Sequence, residues 1–395
     1  MALDKVPVSM MTPMDSASET APSNPNVGQR WFRLSTGVTY QYTNDGTSSF
    51  WLDVSSGGIG MSDSRNVDIV GDTDPHLETS TTGAGLAIGS IYYNREGDRY
   101  FICTNTTTNG NQWSGRYAGY GGTETMYKSG SNFYKVHSFL TTGTFHMDKT
   151  TSCDILVVAG GGGGGGNFNT PGGAGGGAGG LLTFAGQSVA AGYHTCLVGN
   201  GGYGGYSADT INGFPPTNGG NSQFGALTAA VGGGCGSQHS PGQVPSTGGS
   251  GGGGAYNNVA AAAGTDGQGN VGGAGIAGSN QTGGGGGGSG GVGHAASGNN
   301  GGAGGAGTAN AYRTGSNVTY AAGGGGGSGY SAGSGGAGGS SISAIAGGAH
   351  QDNAGGTGSP HTGHGGGGAS GRSSASMING GDGCSGIIVI RYQVA

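Results

Sequence analysis

Seven consecutive glycines, Gly160 to Gly166, follow directly on the apolar run Asp154-Ile155-Leu156-Val157-Val158-Ala159, and comparable blocks recur to the C-terminus. Of the 103 glycines, 85 lie from Gly160 onward, more than one residue in three of that stretch. Glycine loses more backbone freedom on ordering than any other residue, and each ordered residue costs roughly 1–2 kcal/mol. Something other than an ordinary oily interior has to offset that cost.

Three arrangements accept glycine at this density. A collagen triple helix needs glycine at every third position with abundant proline. Here the glycines run in blocks, and only Pro171, Pro215, Pro216, Pro241, Pro245 and Pro360 fall in the region, which excludes it. A flexible glycine-serine linker is the second arrangement. The third is a packed bundle of polyproline-II-like glycine helices, with three residues per turn and about 3.1 Å rise, close enough for the amides of one to reach the carbonyls of another. Leu181-Leu182-Thr183-Phe184, Thr195-Cys196-Leu197-Val198, Asn317-Val318-Thr319-Tyr320-Ala321 and Gly386-Ile387-Ile388-Val389-Ile390-Arg391-Tyr392 punctuate the blocks and favour the bundle, since linkers need no buried strands. The expected fold class is mainly β plus irregular: small N-terminal β modules, then a glycine-rich, polyglycine-II-type helix bundle closed by short strands.

The N-terminal part divides differently. Residues 1–20 read as an extended arm, either disordered or a docking peptide. Residues 21–57 read as a small β module, with Val27-Gly28-Gln29-Arg30-Trp31-Phe32-Arg33, Val38-Thr39-Tyr40-Gln41-Tyr42 and Phe50-Trp51-Leu52-Asp53-Val54 as strands around turn residues. After a linker over 58–83, the pattern returns in 84–122 as Ile88-Gly89-Ser90-Ile91-Tyr92-Tyr93, Arg99-Tyr100-Phe101-Ile102 and Gln112-Trp113, an internal duplication. Trp31, Trp51 and Trp113 read as core anchors ahead of ligand platforms. Modules this small bury little surface, so a symmetry mate or neighbouring protein is expected to cover them. Residues 123–395 form the glycine-rich domain, opening with a hairpin through Met126 and Phe139.

Only 8% of residues are charged, against roughly 25% in ordinary domains. A net charge of −6 and the absence of lysine after Lys149 leave no footprint for nucleic acid. Five cysteines with no metal spacing are expected as free thiols, pointing to assembly in a reducing cytoplasm. Neither a charged-then-apolar leader nor an apolar run of about 18 residues is visible, so a role outside the cell implies exit by lysis in place of secretion.

The order FYKVHSFLTTGTFHM, DILVVAGGGGGGG, GGLLTFAGQSVAAGYHTCLVGNGG, GGNSQFGALTAAVGGG, NVTYAAGGGGG and GDGCSGIIVIRY resembles the glycine-rich domain of bacteriophage tail-fibre and adhesin-like virion proteins of the marine phage type, over roughly residues 130–395. Residues 21–56 also resemble a short module of fibre and virion proteins in the same phages. The resemblance implies a virion appendage made in the host cytoplasm, and in related adhesins of T-even-like phages the turn loops of a glycine bundle contact the host receptor. It implies other virion proteins as partners of the arm and β modules, a host glycan or outer-membrane protein as receptor, and a homo-oligomer, with a trimer favoured. The alternatives are a capsid or tail decoration with no receptor role, and a cellular surface adhesin or filament subunit. The chain departs from T-even tip adhesins by carrying its own N-terminal modules.

No catalytic residues are expected. Beyond Gly160 the only acids are Asp209, Asp266, Asp352 and Asp382, well separated, so paired carboxylates for glycosidase chemistry are missing. Matches to GxGxxG are automatic in such a sequence and no P-loop lysine exists. No cofactor is expected. His361 and His364 read first as solvent-exposed loop histidines and second as metal ligands on one side of a three-residue turn. Receptor contacts belong to loops on a rigid scaffold, which singles out the aromatic-bearing stretches: Tyr203, Tyr206, Phe214, His239, Tyr256, Tyr312 and Tyr330.

Overall fold

The computed structural model describes residues 16–27, 29–33, 38–44, 49–53, 69–79, 86–88, 90–95, 99–107, 110–115, 117–168, 172–207, 213–238, 243–255, 260–277, 281–329, 333–342, 345–349, 353–371 and 377–394. Among these residues the chain is mainly β, with irregular stretches and no α-helix.

The first module is a sheet of β1 (Ser16–Ser18), β2 (Arg30–Arg33), β3 (Val38–Asn44) and β4 (Ser49–Asp53) in that order, with β1 parallel to β2 and the rest antiparallel. The second repeats order and directions with β5 (Ile69–Gly71), β6 (Ile91–Asn94), β7 (Arg99–Asn105) and β8 (Gln112–Gly115). The duplication reaches individual hydrogen bonds. Gln29 N–H donates to the Asn26 carbonyl as Ser90 does to Ala87, and Tyr42 N–H donates to Gln29 as Cys103 does to Ser90. Trp31 faces Tyr40 across the first sheet as Tyr92 faces Phe101 across the second. The parallel strands have no counterpart in the sequence pattern: β1 lies within 1–20, where composition predicts an arm, and β5 within 58–83, where it predicts a linker. Three residues are too few to show an alternation, and they are strands because β2 and β6 offer an open edge.

The glycine-rich domain begins with β9 (Gly119–Tyr120), β10 (Thr123–Ser129), β11 (Asn132–Phe139), β12 (Gly143–Met147) and β13 (Thr151–Val158). Short pairs and longer strands then alternate with the glycine blocks: β14 (Asn167–Phe168), β15 (Leu181–Val189), β16 (Gly192–Leu197), β17 (Tyr206–Ser207), β18 (Gly213–Phe214), β19 (Gln223–Phe224), β20 (Thr308–Asn310), β21 (Val318–Tyr320), β22 (Met377–Ile378) and β23 (Ile387–Gln393). A five-stranded sheet, β10-β11-β23-β13-β15, packs on a four-stranded one, β19-β16-β12-β9. Side chains along β13 and β23 alternate between two apolar clusters. Ile155, Val157, Ile388 and Ile390 meet Phe145, Met147 and Phe224 of the second sheet, while Leu156, Val158, Ile387 and Val389 meet Tyr320, Ala321 and Ala178 on the other side. Burial on both faces explains why these strands read as unbroken apolar runs, and each such side chain contributes about 1.5–3 kcal/mol. A conventional core therefore exists beside the glycine blocks, where composition alone predicts none.

The second module packs on its own chain. Asp74 accepts from Asn94 Nδ2 (2.6 Å), pairs with Arg99 (2.8 Å) and accepts from the Ala118 amide (3.3 Å). His76 stacks on Phe133 at 3.9 Å, and Phe101 packs against Tyr117. One apolar cluster runs from Tyr92 and Trp113 into the sandwich.

From the sandwich the glycine blocks extend as a lattice of main-chain hydrogen bonds. In 160–166 the partner changes with a period of three residues. Gly160 and Gly163 donate to Gly220 and Thr217, Gly161 and Gly164 to Cys384 and Gly381, Gly162 and Gly165 to Gly177 and Ala174, at 2.8–3.0 Å. The carbonyls of Gly160 and Gly163 accept from Gly233 and Gly236, those of Gly161 and Gly164 from Gly202 and Gly205, and those of Gly162 and Gly165 from Gly366 and Ala369. One block thus has six neighbours, three antiparallel that accept from it and three parallel that donate to it. Strand register runs on into this lattice. Val158↔Leu181 in the β13–β15 ladder continues as Ala159 to Gly180, Gly162 to Gly177 and Gly165 to Ala174, and Thr308↔Tyr320 in β20–β21 continues as Gly323 to Gly305, Gly326 to Gly302 and Gly329 to Asn299. Where a block reaches the rim, side chains supply the acceptor, as Gln268 Oε1 does for Val231 and Asn221 Oδ1 for Gly232.

A Cβ at Gly163 would overlap the Tyr203 carbonyl, whereas one at Gly291 would meet nothing nearer than 3.4 Å. Gly163→Ala is expected to destabilise the protein by about 1–3 kcal/mol or more. Gly291→Ala is expected to be neutral or to stabilise by up to about 1 kcal/mol by restricting the unfolded chain. Thermal or denaturant unfolding of the two variants, side by side, measures the difference.

Candidate functional site

Block 160–166 leads away from β13, and block 199–205 runs parallel to it, so β14, β17 and β22 gather at the end of the body away from the sandwich, in mutual contact. There the chain presents exposed aromatic rings on a tied-down backbone. Tyr203 donates its N–H to Thr217 Oγ1 (2.8 Å) and accepts the Thr217 N–H at its carbonyl (3.0 Å), while its side chain is 75% exposed. Tyr206 sits directly opposite Phe214 in the β17–β18 ribbon, ring centroids 6.3 Å apart, and Phe214 is 73% exposed. Asp382 Oδ1 accepts the Gly204 N–H at 2.7 Å and places an exposed carboxylate on the same strip. Sequence reasoning brings out the three rings; Asp382 is distant in the chain, and only the lattice brings it there.

The other expected contact residues part company with this patch. Tyr312 belongs to a clamp at the sandwich: the Arg391 guanidinium lies over the Tyr312 ring (4.1 Å) and the Tyr134 ring (4.5 Å), and bonds Asp154 and the Tyr127 hydroxyl. That makes Tyr312 half-buried packing for the 308–318 loop. His239, Tyr256 and Tyr330 lie outside the described residues.

The reading of His364 as solvent-exposed is corrected. It is 3% exposed, and its Nδ1 accepts the Ala322 N–H at 3.0 Å, so the imidazole serves as a lattice acceptor. Burial lowers its pKa to about 4. His361 holds Ser385 instead, through its N–H to Ser385 Oγ (3.0 Å) and its Nδ1 at 3.1 Å. Among the described residues no group of three or more His, Cys, Asp or Glu is placed to hold a metal ion. All five cysteines are buried and unpaired, with burial pushing the thiols of Cys153 and Cys196 up to about 12.

A second aromatic row was not legible as a site in the sequence. Tyr120, His146 and Tyr193 lie side by side across β9, β12 and β16 on the outer face of the four-stranded sheet, with Tyr120–His146 at 4.7 Å and His146–Tyr193 at 4.4 Å. The alternation in Thr144-Phe145-His146-Met147 separates the buried Phe145 and Met147 from outward His146, but the cross-strand neighbours come from the topology.

A β-sandwich bearing a glycine-rich body of hydrogen-bonded blocks is the class these features define. The chain belongs to the glycine-rich domain family, whose model matches residues 138–393, more than half of its length. A search of the curated proteins found no match.

The histidine acceptor gives a pH dependence. His364 titrates near 4 in the folded chain and near 6.5 when unfolded, so the unfolded state binds the extra proton between those values and stability falls as pH drops through that window. At full effect this amounts to about 3 kcal/mol. The expected outcome is a melting temperature that is flat above about pH 7 and falls toward pH 4. In His364→Asn, which keeps an acceptor for Ala322, the fall should be shallower, and in His364→Leu the unpaired amide should cost about 1–3 kcal/mol at pH 7.

Proposed function

We propose that this chain is a non-enzymatic virion appendage, a bacteriophage tail-fibre or adhesin protein that binds the host cell surface through the distal end of its glycine-rich domain. The N-terminal arm and β modules attach it to other virion proteins, in a homo-oligomer for which a trimer is favoured. In this reading the glycine blocks are polyglycine-II-type helices. The three-residue period of partner exchange supports it, because a helix with three residues per turn directs successive amides to three different neighbours.

The observation that carries the attachment role is the strip of Tyr203, Tyr206 and Phe214 at the end of the body away from the sandwich. Exposed rings on a fixed main chain offer contact area at small entropic loss, suited to a sugar face or an outer-membrane protein. Tyr203 and Phe214 are exposed and Tyr206 is half-buried beside Phe214; lattice and sandwich stability do not require the two exposed rings to be solvent-facing, so their exposure fits recognition better than packing.

Particles carrying Tyr206→Ser with Phe214→Ser are expected to adsorb to the host about ten-fold less or worse, while the purified variant melts at an unchanged temperature. Unchanged adsorption would leave a decoration protein without a receptor role. Immunogold labelling that finds the protein nowhere on particles would remove the virion assignment itself.

A further inference from the structure

We infer that the aromatic face of the first β module is the surface through which copies of this chain pack on one another. This rests on the homo-oligomer part of the proposed function and on neither the receptor nor the virion part.

The internal duplication carries it. Strand register matches Trp31, Tyr40, Tyr42 and Trp51 of the first module to Tyr92, Phe101, Cys103 and Trp113 of the second. Trp31 pairs with Tyr40 as Tyr92 does with Phe101, and Tyr42 pairs with Trp51 as Cys103 does with Trp113. Directly paired and alternate residues share a side, so each set of four lies on one face of its sheet. In the second module that face is a finished interface: all four side chains are buried, Tyr117 packs on Phe101 at 4.8 Å, and the Tyr117 hydroxyl donates to the Pro75 carbonyl at 3.3 Å. In the first module only Trp31 is buried, and Tyr40, Tyr42 and Trp51 stay half-buried. Trp31 lies 5.0 Å from Tyr40 and 5.7 Å from Trp51, and Tyr42 lies 5.2 Å from Trp51. Among the described residues neither apolar cluster of the molecule includes any of these four rings. The same face thus occurs twice, complete in one module and half-open in the other.

The difference between the two faces identifies the occupant. The second module is anchored by buried Asp74, which accepts the Ala118 amide and pairs with Arg99. Counting on from the matched parallel strands, Ala21 stands in the first module where Asp74 stands in the second, and Pro22 stands where Pro75 does. An exposed Ala21 offers no carboxylate, so a cover held through an amide or a guanidinium does not fit there. What remains is four uncharged rings with two tyrosine hydroxyls. Their complement is a surface of the same make, with ring faces for the rings and a hydroxyl in the part that Tyr117 plays. The same face on another copy supplies both, and having no charge among the four rings it meets its own image without repulsion. Aromatic residues with charge depleted are also the composition of interface centres. Arg30, Gln41 and Leu52 fall by register on the opposite face of the sheet, which stays available to other proteins.

Sedimentation of the full chain at about 10 μM is expected to show an oligomer, a concentration at which a micromolar interface is mostly occupied. Tyr40→Glu with Tyr42→Glu, which sets like charges against each other between copies, is expected to leave a folded monomer. An oligomer unchanged by the two glutamates would overturn the inference while leaving the homo-oligomer reading in place. A wild-type chain that is monomeric at this concentration would overturn both. Should the glutamates unfold the module, seen as loss of the near-ultraviolet circular dichroism of its tryptophans, Tyr40→Ser with Tyr42→Ser decides. That pair is expected to weaken association about ten-fold or more, and unchanged association would overturn the inference.

Discussion

The hydrogen bond from a glycine amide in one block to a carbonyl in the next is the interaction on which the distal two thirds of this molecule depends. Singly it is weak: a net contribution of about 0.5–1.5 kcal/mol sets itself against roughly 1–2 kcal/mol of lost backbone freedom per residue. A lone block would not order. Six neighbours around 160–165 change the balance, because both polar groups of each residue are satisfied at once and the backbones come close enough for dispersion and Cα–H contacts to add. The same closeness forbids a side chain, so glycine is required by space at these positions as well as tolerated by conformation.

The register of the blocks is continuous with that of the sandwich strands. The ladder of β13 with β15 and that of β20 with β21 pass their register into the lattice without a break, so the apolar strands set both the facing and the phase of the glycines that follow them. Strand side chains with burial on both faces contribute the stabilisation that the lattice lacks. Composition of the glycine region thus hides a division of labour between strands that select the register and blocks that extend it.

Much of this is legible in the sequence, and the gaps have physical causes. The strands around Phe139, Phe145, Leu156 and Ile388 stand out because apolar runs interrupt the glycine, and the duplicated modules stand out because aromatic residues recur beside the same turn chemistry. Ser16–Ser18 and Ile69–Gly71 do not, since a three-residue parallel edge strand carries no period. The pairing of β23 between β11 and β13 is likewise invisible, being a contact between chain segments more than two hundred residues apart. His364 misleads for a related reason: a histidine among glycines looks exposed, and only the lattice shows that the Ala322 amide needs its nitrogen. Tyr312 misleads because its partner, Arg391, is the lone cation of the final strand.

The arrangement separates what must stay fixed from what is free to vary. Period-three bonding constrains residues inside the blocks, and the sandwich constrains those at their proximal ends. Tyr203 is fastened at both its N–H and its carbonyl to Thr217, and Gly205, bonded to Gly164 through its N–H and to Gly380 through its carbonyl, is the last lattice residue before the ribbon of Tyr206 and Phe214. A ring displayed there inherits rigidity from a scaffold that makes no demand on its side-chain identity. Residues in such a position can change with a ligand while the fold beneath them does not, which is the physical condition for a recognition surface.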